Sequence, residues 1–131
     1  MIISKLENLN KVIEIINENK HSSIAMAIKD SSKEVFYCNN FFLQSTGLSE
    51  EQNLIGLSDY GIELWKDNKY DYAIGEKISI DSKAYYLCTE TLPLKDSRET
   101  KTILTEKITF YDTDGKNYIL VRFKIIEDND L

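Results

Sequence analysis

The last third of the chain constrains the fold most strongly, because it predicts three consecutive β-strands joined by short polar segments. The predicted strands are residues 84–92, 100–111 and 117–126. Pro93 ends the first strand, and the sequence DTDG at 112–115 is a hairpin turn between the other two. Strands that follow one another through short turns favour antiparallel pairing. This part of the chain therefore predicts an antiparallel sheet.

The last predicted strand has two apolar faces instead of one. Side chains alternate between the faces of a strand, so residues two apart share a face. One face carries Ile119, Val121, Phe123 and Ile125. The other face carries Tyr118, Leu120 and Ile126. Both faces of the sheet consequently need to be buried, by a helix of the same chain or by a second chain.

The first two thirds of the chain supply helices for this cover. Apolar residues at helical spacing predict an amphipathic helix within residues 1–21. A hairpin of two short strands, 23–29 and 34–38, comes next. Three helices follow, the first capped by Asn39 and the third starting near Asp67. The predicted fold class is therefore α+β, with a five-stranded antiparallel sheet, helices clustered on one face and an N-terminal amphipathic helix.

Composition and charge exclude several classes of protein. The length of 131 residues is that of one ordinary domain, and a 42% share of hydrophobic residues suits a packed core. With a net charge of −6 and no cluster of Lys or Arg, the chain lacks the basic surface used in direct nucleic-acid binding. No apolar run approaches the roughly 20 residues that cross a bilayer, and the N-terminus does not resemble a signal peptide. We expect a cytoplasmic domain without a membrane partner.

Several short motifs, in order along the chain, resemble the PAS family of sensory domains. Residues 36–42 and 47–48 resemble the family's opening, in which a hairpin leads to an Asn, a Phe three residues later and a Gly. The sequences LIGLSDY at 54–60, LTEK at 104–107 and YDTDG at 111–115 are similar to a PAS subgroup often found ahead of LuxR-type helix-turn-helix domains. The resemblance covers about residues 22 to 127.

This resemblance implies a domain organisation and a function. Residues 22–127 would form the sensory domain, residues 1–21 a helix that dimerises or caps the sheet, and residues 128–131 a C-terminal tail. The implied function is signal transduction in a bacterial regulator, through a small ligand or a partner, with a role in transcription regulation. A homodimer is expected, and its candidate interface residues are Leu6, Leu9, Ile13 and Ile16.

A ligand pocket is expected between the helices and the sheet, as the PAS likeness and the apolar periodicity together imply. The candidate lining residues are Met26, Phe42, Ile55, Trp65, Tyr70, Ile74, Leu104 and Val121. The alternative is that these side chains fill a dry core and the domain is a ligand-free protein–protein interaction module.

The residue types do not favour a haem or a cysteinyl-flavin cofactor. Haem-binding members of the PAS family usually take an axial His from the helical segment, whereas His21 lies before the first predicted strand. The flavin-binding light sensors carry a Cys shortly after the Gly that matches Gly56, and residues 57–60 contain none. Cys38 and Cys88 have no metal-binding spacing and suit buried positions. No cofactor is expected, while an unidentified small ligand stays open.

An enzyme is the least favoured class. No Ser or Thr lies in a nucleophile elbow or a phosphate loop. Glu90 and Glu106 fall on adjoining predicted strands and would suit acid–base chemistry if their carboxylates met, although solvated strand faces explain them equally well. A small acid–base enzyme therefore remains only as a third alternative.

Overall fold

A computed structural model describes residues 9–65, 85–94 and 99–126 of the chain. Its helices are α1 (Leu9–Glu18) and α2 (Asn40–Ser45), with 3₁₀ turns at Glu51–Asn53, Asp59–Gly61 and Glu63–Trp65. Its strands are β1 (Ala25–Lys29), β2 (Val35–Cys38), β3 (Tyr85–Pro93), β4 (Thr100–Tyr111) and β5 (Asn117–Ile125). No helix in these three segments is long and apolar enough to span a membrane.

The described strands form one antiparallel sheet in the order β2-β1-β5-β4-β3. The β4–β5 hairpin pairs Tyr111 with Asn117 and continues without interruption to Ile103 opposite Ile125. Its turn needs a left-handed residue, which Gly115 supplies at φ +86°. The sequence-based fold class, α+β with a five-stranded antiparallel sheet, is confirmed.

Helix α1 lies on the outer face of the sheet of its own chain. Val12 and Ile16 are fully buried there, and the backbone N–H of Leu9 donates to Asp112 Oδ1 at 3.3 Å. The sheet residues in this cluster are Met26, Ile28, Ile108, Phe110, Tyr118 and Leu120. A short helix is marginal in water, so burial of this apolar face is what holds α1 in place.

The inner face of the sheet packs against α2 and the 3₁₀ turns. Its buried residues include Ala25, Ala27, Val35, Cys38, Phe42, Leu54, Ile62, Trp65, Leu92, Ile103, Ile119, Val121 and Phe123. The predicted cap of α2 is present, because Asn39 Oδ1 accepts from the N–H of Phe42 at 3.1 Å. The cap directs Phe42 into the inner core.

One predicted helical segment differs from the structure, and another lies outside it. A capping box at 49–52 predicts a short α-helix, but a single 3₁₀ turn forms there and Glu50 makes no side-chain cap. The backbone of edge strand β2 explains this: Val35 accepts from Gly56 N–H and donates to Leu57 C=O, so the chain leaves the helical path. The segment that follows contains the two 3₁₀ turns Asp59–Gly61 and Glu63–Trp65. The helix predicted from Asp67 lies outside the described residues.

Candidate functional site

A cavity lies between the inner face of the sheet and the 3₁₀ turns at 59–65. Strand alternation brings its wall together, because residues two apart on β4 and β5 point the same way. The described lining residues are Lys29, Phe42, Asp59, Trp65, Glu90, Leu92, Ile103, Thr105, Lys107, Val121 and Phe123. The space is about 320 Å³ including its opening to solvent, and as it stands it has room for about one water molecule.

One ion pair connects β1 with the turn above it. Lys29 shares the inner face with Ala25 and Ala27, and its Nζ lies 2.7 Å from Asp59 Oδ1. The two side chains are only 3% and 5% exposed. Asp59 starts the 3₁₀ turn Asp59–Gly61, which precedes Trp65 and covers the cavity. The ion pair therefore holds this turn against the sheet.

A second ion pair joins β3 to β4 along the cavity floor. Lys107 Nζ lies 2.9 Å from Glu90 Oε2, and the side chains are 2% and 7% exposed. Glu90 is paired in register with Ile103, four positions before Lys107. The two side chains must therefore extend toward each other along the sheet, past Thr105.

Thr105 carries a hydroxyl without a hydrogen-bond partner among the described atoms. The residue is 1% exposed and lines the cavity, and its Oγ1 is one of two buried side-chain N or O atoms in the described segments that lack a partner. An unsatisfied buried hydroxyl costs about 1–3 kcal/mol. The cavity thus contains one polar atom that a water or a ligand would satisfy.

Aromatic side chains form the apolar part of the wall. Phe42 meets Trp65 edge-to-face with ring centroids 5.6 Å apart, and it lies 5.9 Å from Phe123. The Trp65 indole N–H donates to the carbonyl of Ser45 at 3.2 Å. This hydrogen bond holds the end of α2 against the turn at 63–65.

The structure brings together three of the eight sequence-predicted pocket residues, Phe42, Trp65 and Val121. Met26 and Leu104 do not line the cavity: Met26 contributes to the outer core, and Leu104 lies one position out of phase with inward-facing Ile103 and Thr105. Ile55 is 41% exposed, because the turn that replaces the predicted helix directs it to solvent. Tyr70 and Ile74 lie outside the described residues.

The dimer candidates lie at different depths on α1. Ile16 is 1% exposed and packs on the sheet of its own chain, so it is not available to a partner. Leu9 and Ile13 are only partly buried and lie at the margin of the same cluster. Leu6 is outside the described residues.

Sequence reasoning assigned none of the described polar lining residues to the cavity, namely Lys29, Asp59, Glu90, Thr105 and Lys107. Lysine and carboxylates are rarely buried, so period-two patterning assigns them to solvent. A usable signal was present in the motifs of the PAS likeness, which contain Asp59, Thr105 and Lys107. Lys107 lies four residues after Ile103 on the same predicted strand, so both side chains are expected on one face of the sheet. This spacing was a second signal.

The geometry does not support the acid–base alternative. Glu106 lies on the outer face of the sheet, where it accepts from Arg122 Nη2 and Tyr85 Oη, whereas Glu90 lies on the inner face. The two carboxylates therefore do not meet. Burial, with a smaller contribution from Glu51, raises the pKa of the Cys38 thiol to about 12, so it is not a thiolate nucleophile at neutral pH.

No protein-family model matches the sequence, and no curated protein matches it significantly. Solved structures do match its fold. A structure of the Vibrio cholerae VqmA dimer, described as informing the DNA-binding mechanisms of LuxR-type receptors, is 16% identical, with a TM-score of 0.76, 89% of this chain covered and 52% of that one. VqmA bound to DPO has the same identity and TM-score, with 90% and 59% covered.

A single-domain match gives the same result. The PAS domain of Bordetella pertussis BvgS is 10% identical, with a TM-score of 0.70 and coverage of 91% of this chain and 88% of that domain. The chain spans between half and three fifths of the length of the VqmA chains above, but nearly all of the BvgS domain. Matches to domains of this kind, together with the strand order and the helices on the inner face, show that the chain has the PAS fold.

Proposed function

We propose that the chain is a PAS-type sensory domain of a bacterial regulator, which binds a small ligand in the inner-face cavity. The observation that carries the proposal is the convergence of two buried ion pairs and the unpaired Thr105 hydroxyl on one space. The ligand would occupy the interior between the sheet and the turns at 59–65, with Thr105 as one contact.

The free-energy cost of burying charged and polar groups favours a ligand site over a core that serves stability alone. Replacing a buried ion pair by apolar residues of similar volume is often neutral or stabilising, so stability alone does not require such pairs. Two buried ion pairs beside an unsatisfied hydroxyl are a large energetic burden for a domain whose total free energy of unfolding is about 5–15 kcal/mol. Concave sites with an apolar wall and a few converging polar groups are the usual form of a ligand site.

The comparisons add support for the regulatory role. VqmA has been solved bound to DPO and in a complex of protein, ligand and DNA. By this likeness we assign the chain to transcription regulation in the cytoplasm, with DNA contacted by another part of the regulator.

Native mass spectrometry of freshly purified protein tests ligand binding. We expect a fraction of the protein to carry a small molecule that is released on denaturation and identified by its mass. The Thr105→Val variant should retain less of it, because the variant removes the buried Thr105 hydroxyl, which has no partner among the described atoms, and keeps the side-chain volume. Protein that is entirely unliganded, in the wild type and from several growth conditions, would favour the ligand-free interaction module instead.

We also propose that the domain forms a homodimer through the side of α1 that carries Leu9 and Ile13, which are only partly buried against the sheet of their own chain. Dimers are the commonest protein assemblies, and the Vibrio cholerae VqmA structure is that of a dimer. Sedimentation over a range of concentrations should give a dimer for the wild type and a monomer for Ile13→Glu. Lys11→Glu, on the exposed side of the same helix, is the control and should remain dimeric. A monomeric wild type, or dimers of Ile13→Glu with unchanged affinity, would exclude this interface.

A further inference from the structure

One side of helix α1 adjoins the edge strand β2. Residues four apart share a side of a helix, so Leu9, Ile13 and Asn17 form a row along α1. The hydroxyl of Tyr37 on β2 donates to Asn17 Oδ1, which places this row along β2. Strand β2 is one edge of the described sheet, and β3 is the opposite edge. The surface proposed for the homodimer therefore lies at the β2 edge.

Phe36 continues this surface on the strand itself. Its ring lies on the outer face of the sheet, with the ring centroid 6.0 Å from that of Tyr118, yet 41% of the residue is exposed. Tyr118 belongs to the outer cluster against which Leu9 and Ile13 pack. The three apolar side chains Leu9, Ile13 and Phe36 thus border the same cluster, and we call them the α1–β2 patch.

The helix row alone is too small for a stable dimer. A specific interface covers about 800 Å² and roughly 20–30 residues on each partner, whereas a helix of 10 residues is only about 15 Å long. The contact surface must therefore continue beyond the row on α1. Interface cores are enriched in aromatic residues, and Phe36 presents a partly exposed ring at the margin of the same cluster.

Charge favours a second copy of this chain as the occupant of the patch. In a two-fold dimer the same surface of each chain meets, so any charge on that surface lies close to a like charge, which opposes association. Each chain carries a net charge of −6, but Leu9, Ile13, Asn17, Phe36 and Tyr37 are all uncharged. Two copies can therefore meet at this surface without that cost.

We infer that Phe36 is a contact residue of the homodimer, in which the α1–β2 patch of one chain packs against the same patch of its partner. This inference rests on the proposed homodimer and specifies its surface, the β2 edge of the outer face. The β3 edge provides a matched control, because Leu87 on β3 is a large apolar residue that is 50% exposed. Leu87 is paired in register with Glu106, so it lies on the same outer face.

Site-specific photo-crosslinking tests the surface directly. Phe36→p-benzoylphenylalanine retains an aromatic side chain, and its benzophenone group forms a covalent bond with nearby C–H groups on irradiation. The irradiated full chain should give a covalent dimer on denaturing electrophoresis. Leu87→p-benzoylphenylalanine, at the opposite edge, should give none at the same protein concentration. A dimeric chain that crosslinks equally through both positions, or not through position 36, would overturn the inference and leave the homodimer in place.

Sedimentation over a range of concentrations measures the effect on affinity. Phe36→Ser should weaken the dimer about tenfold or more, because an aromatic contact is lost from each side of a symmetric interface. Leu87→Ser should dimerise like the wild type, and circular dichroism should show that both variants are folded. Crosslinking decides the question if Phe36→Ser does not fold. An unchanged dimerisation constant for folded Phe36→Ser would remove Phe36 from the interface, whereas a monomeric wild type would overturn the homodimer and the inference together.

Discussion

Lys107→Met should destabilise the domain by about 3–5 kcal/mol. Methionine keeps the length and most of the volume of the side chain but removes the ammonium group. Glu90, whose side chain is only 7% exposed, is then left as a buried carboxylate without its counterion. Urea unfolding followed by circular dichroism gives the free energy of unfolding directly.

Two further variants isolate the cause of this loss. Lys124→Met makes the same substitution at an exposed position on β5 and should change stability by no more than about 0.5 kcal/mol. The double variant Lys107→Met/Glu90→Leu removes both charges and should recover most of the stability. A double variant as unstable as the single one would show that packing of the lysine stem, and not the ion pair, is responsible.

Asn39→Ala should cost about 3–5 kcal/mol, because one fully buried amide makes four hydrogen bonds. Its Oδ1 accepts from the N–H groups of Met26 and Phe42 at 3.0 and 3.1 Å. Its Nδ2 donates to the carbonyls of Asn19 and Ile24 at 3.0 and 2.8 Å. Alanine leaves backbone groups of β1, the N-terminus of α2 and the segment after α1 unsatisfied together. Thermal and urea unfolding should both show the loss.

The neighbouring asparagine is a matched control for this prediction. Among the described residues, the Asn40 side chain bonds only to His21, through a solvent-exposed contact of 3.1 Å. Asn40→Ala should therefore cost less than about 1 kcal/mol. Similar losses for the two variants would contradict the role of Asn39 as the link between these three elements.

The elements with a single strong pattern could be predicted from the sequence. The turn at 112–115 and the alternation in β5 predicted the hairpin and both of its faces. Asn39, shortly before an apolar pair, predicted the start of α2. Local chemistry specifies each of these features: Gly115 permits the left-handed turn, and an Asn side chain satisfies a free helix N–H.

The faces of β1 and the contents of the cavity could not be predicted in the same way. All five residues of β1 are buried, so alternation does not indicate that Ala27 faces inward and Met26 outward. The inward direction of Lys29 depends on Asp59, thirty residues later in the chain. Partners that are distant in sequence leave no periodic trace, and the candidate site consists largely of such partners.

The alternation along β5 has a consequence for how this domain can diverge. Odd positions from Ile119 to Phe123 contact the inner core, and Val121 and Phe123 among them line the cavity, whereas Tyr118 and Leu120 contact the layer that holds α1. Substitutions at the two sets therefore change different layers: the inner set changes the cavity wall, and the outer set changes the packing against α1. The cavity wall can change without altering the surface presented by α1, and the reverse is equally open. The three solved structures compared above keep this architecture at identities of 10–16%.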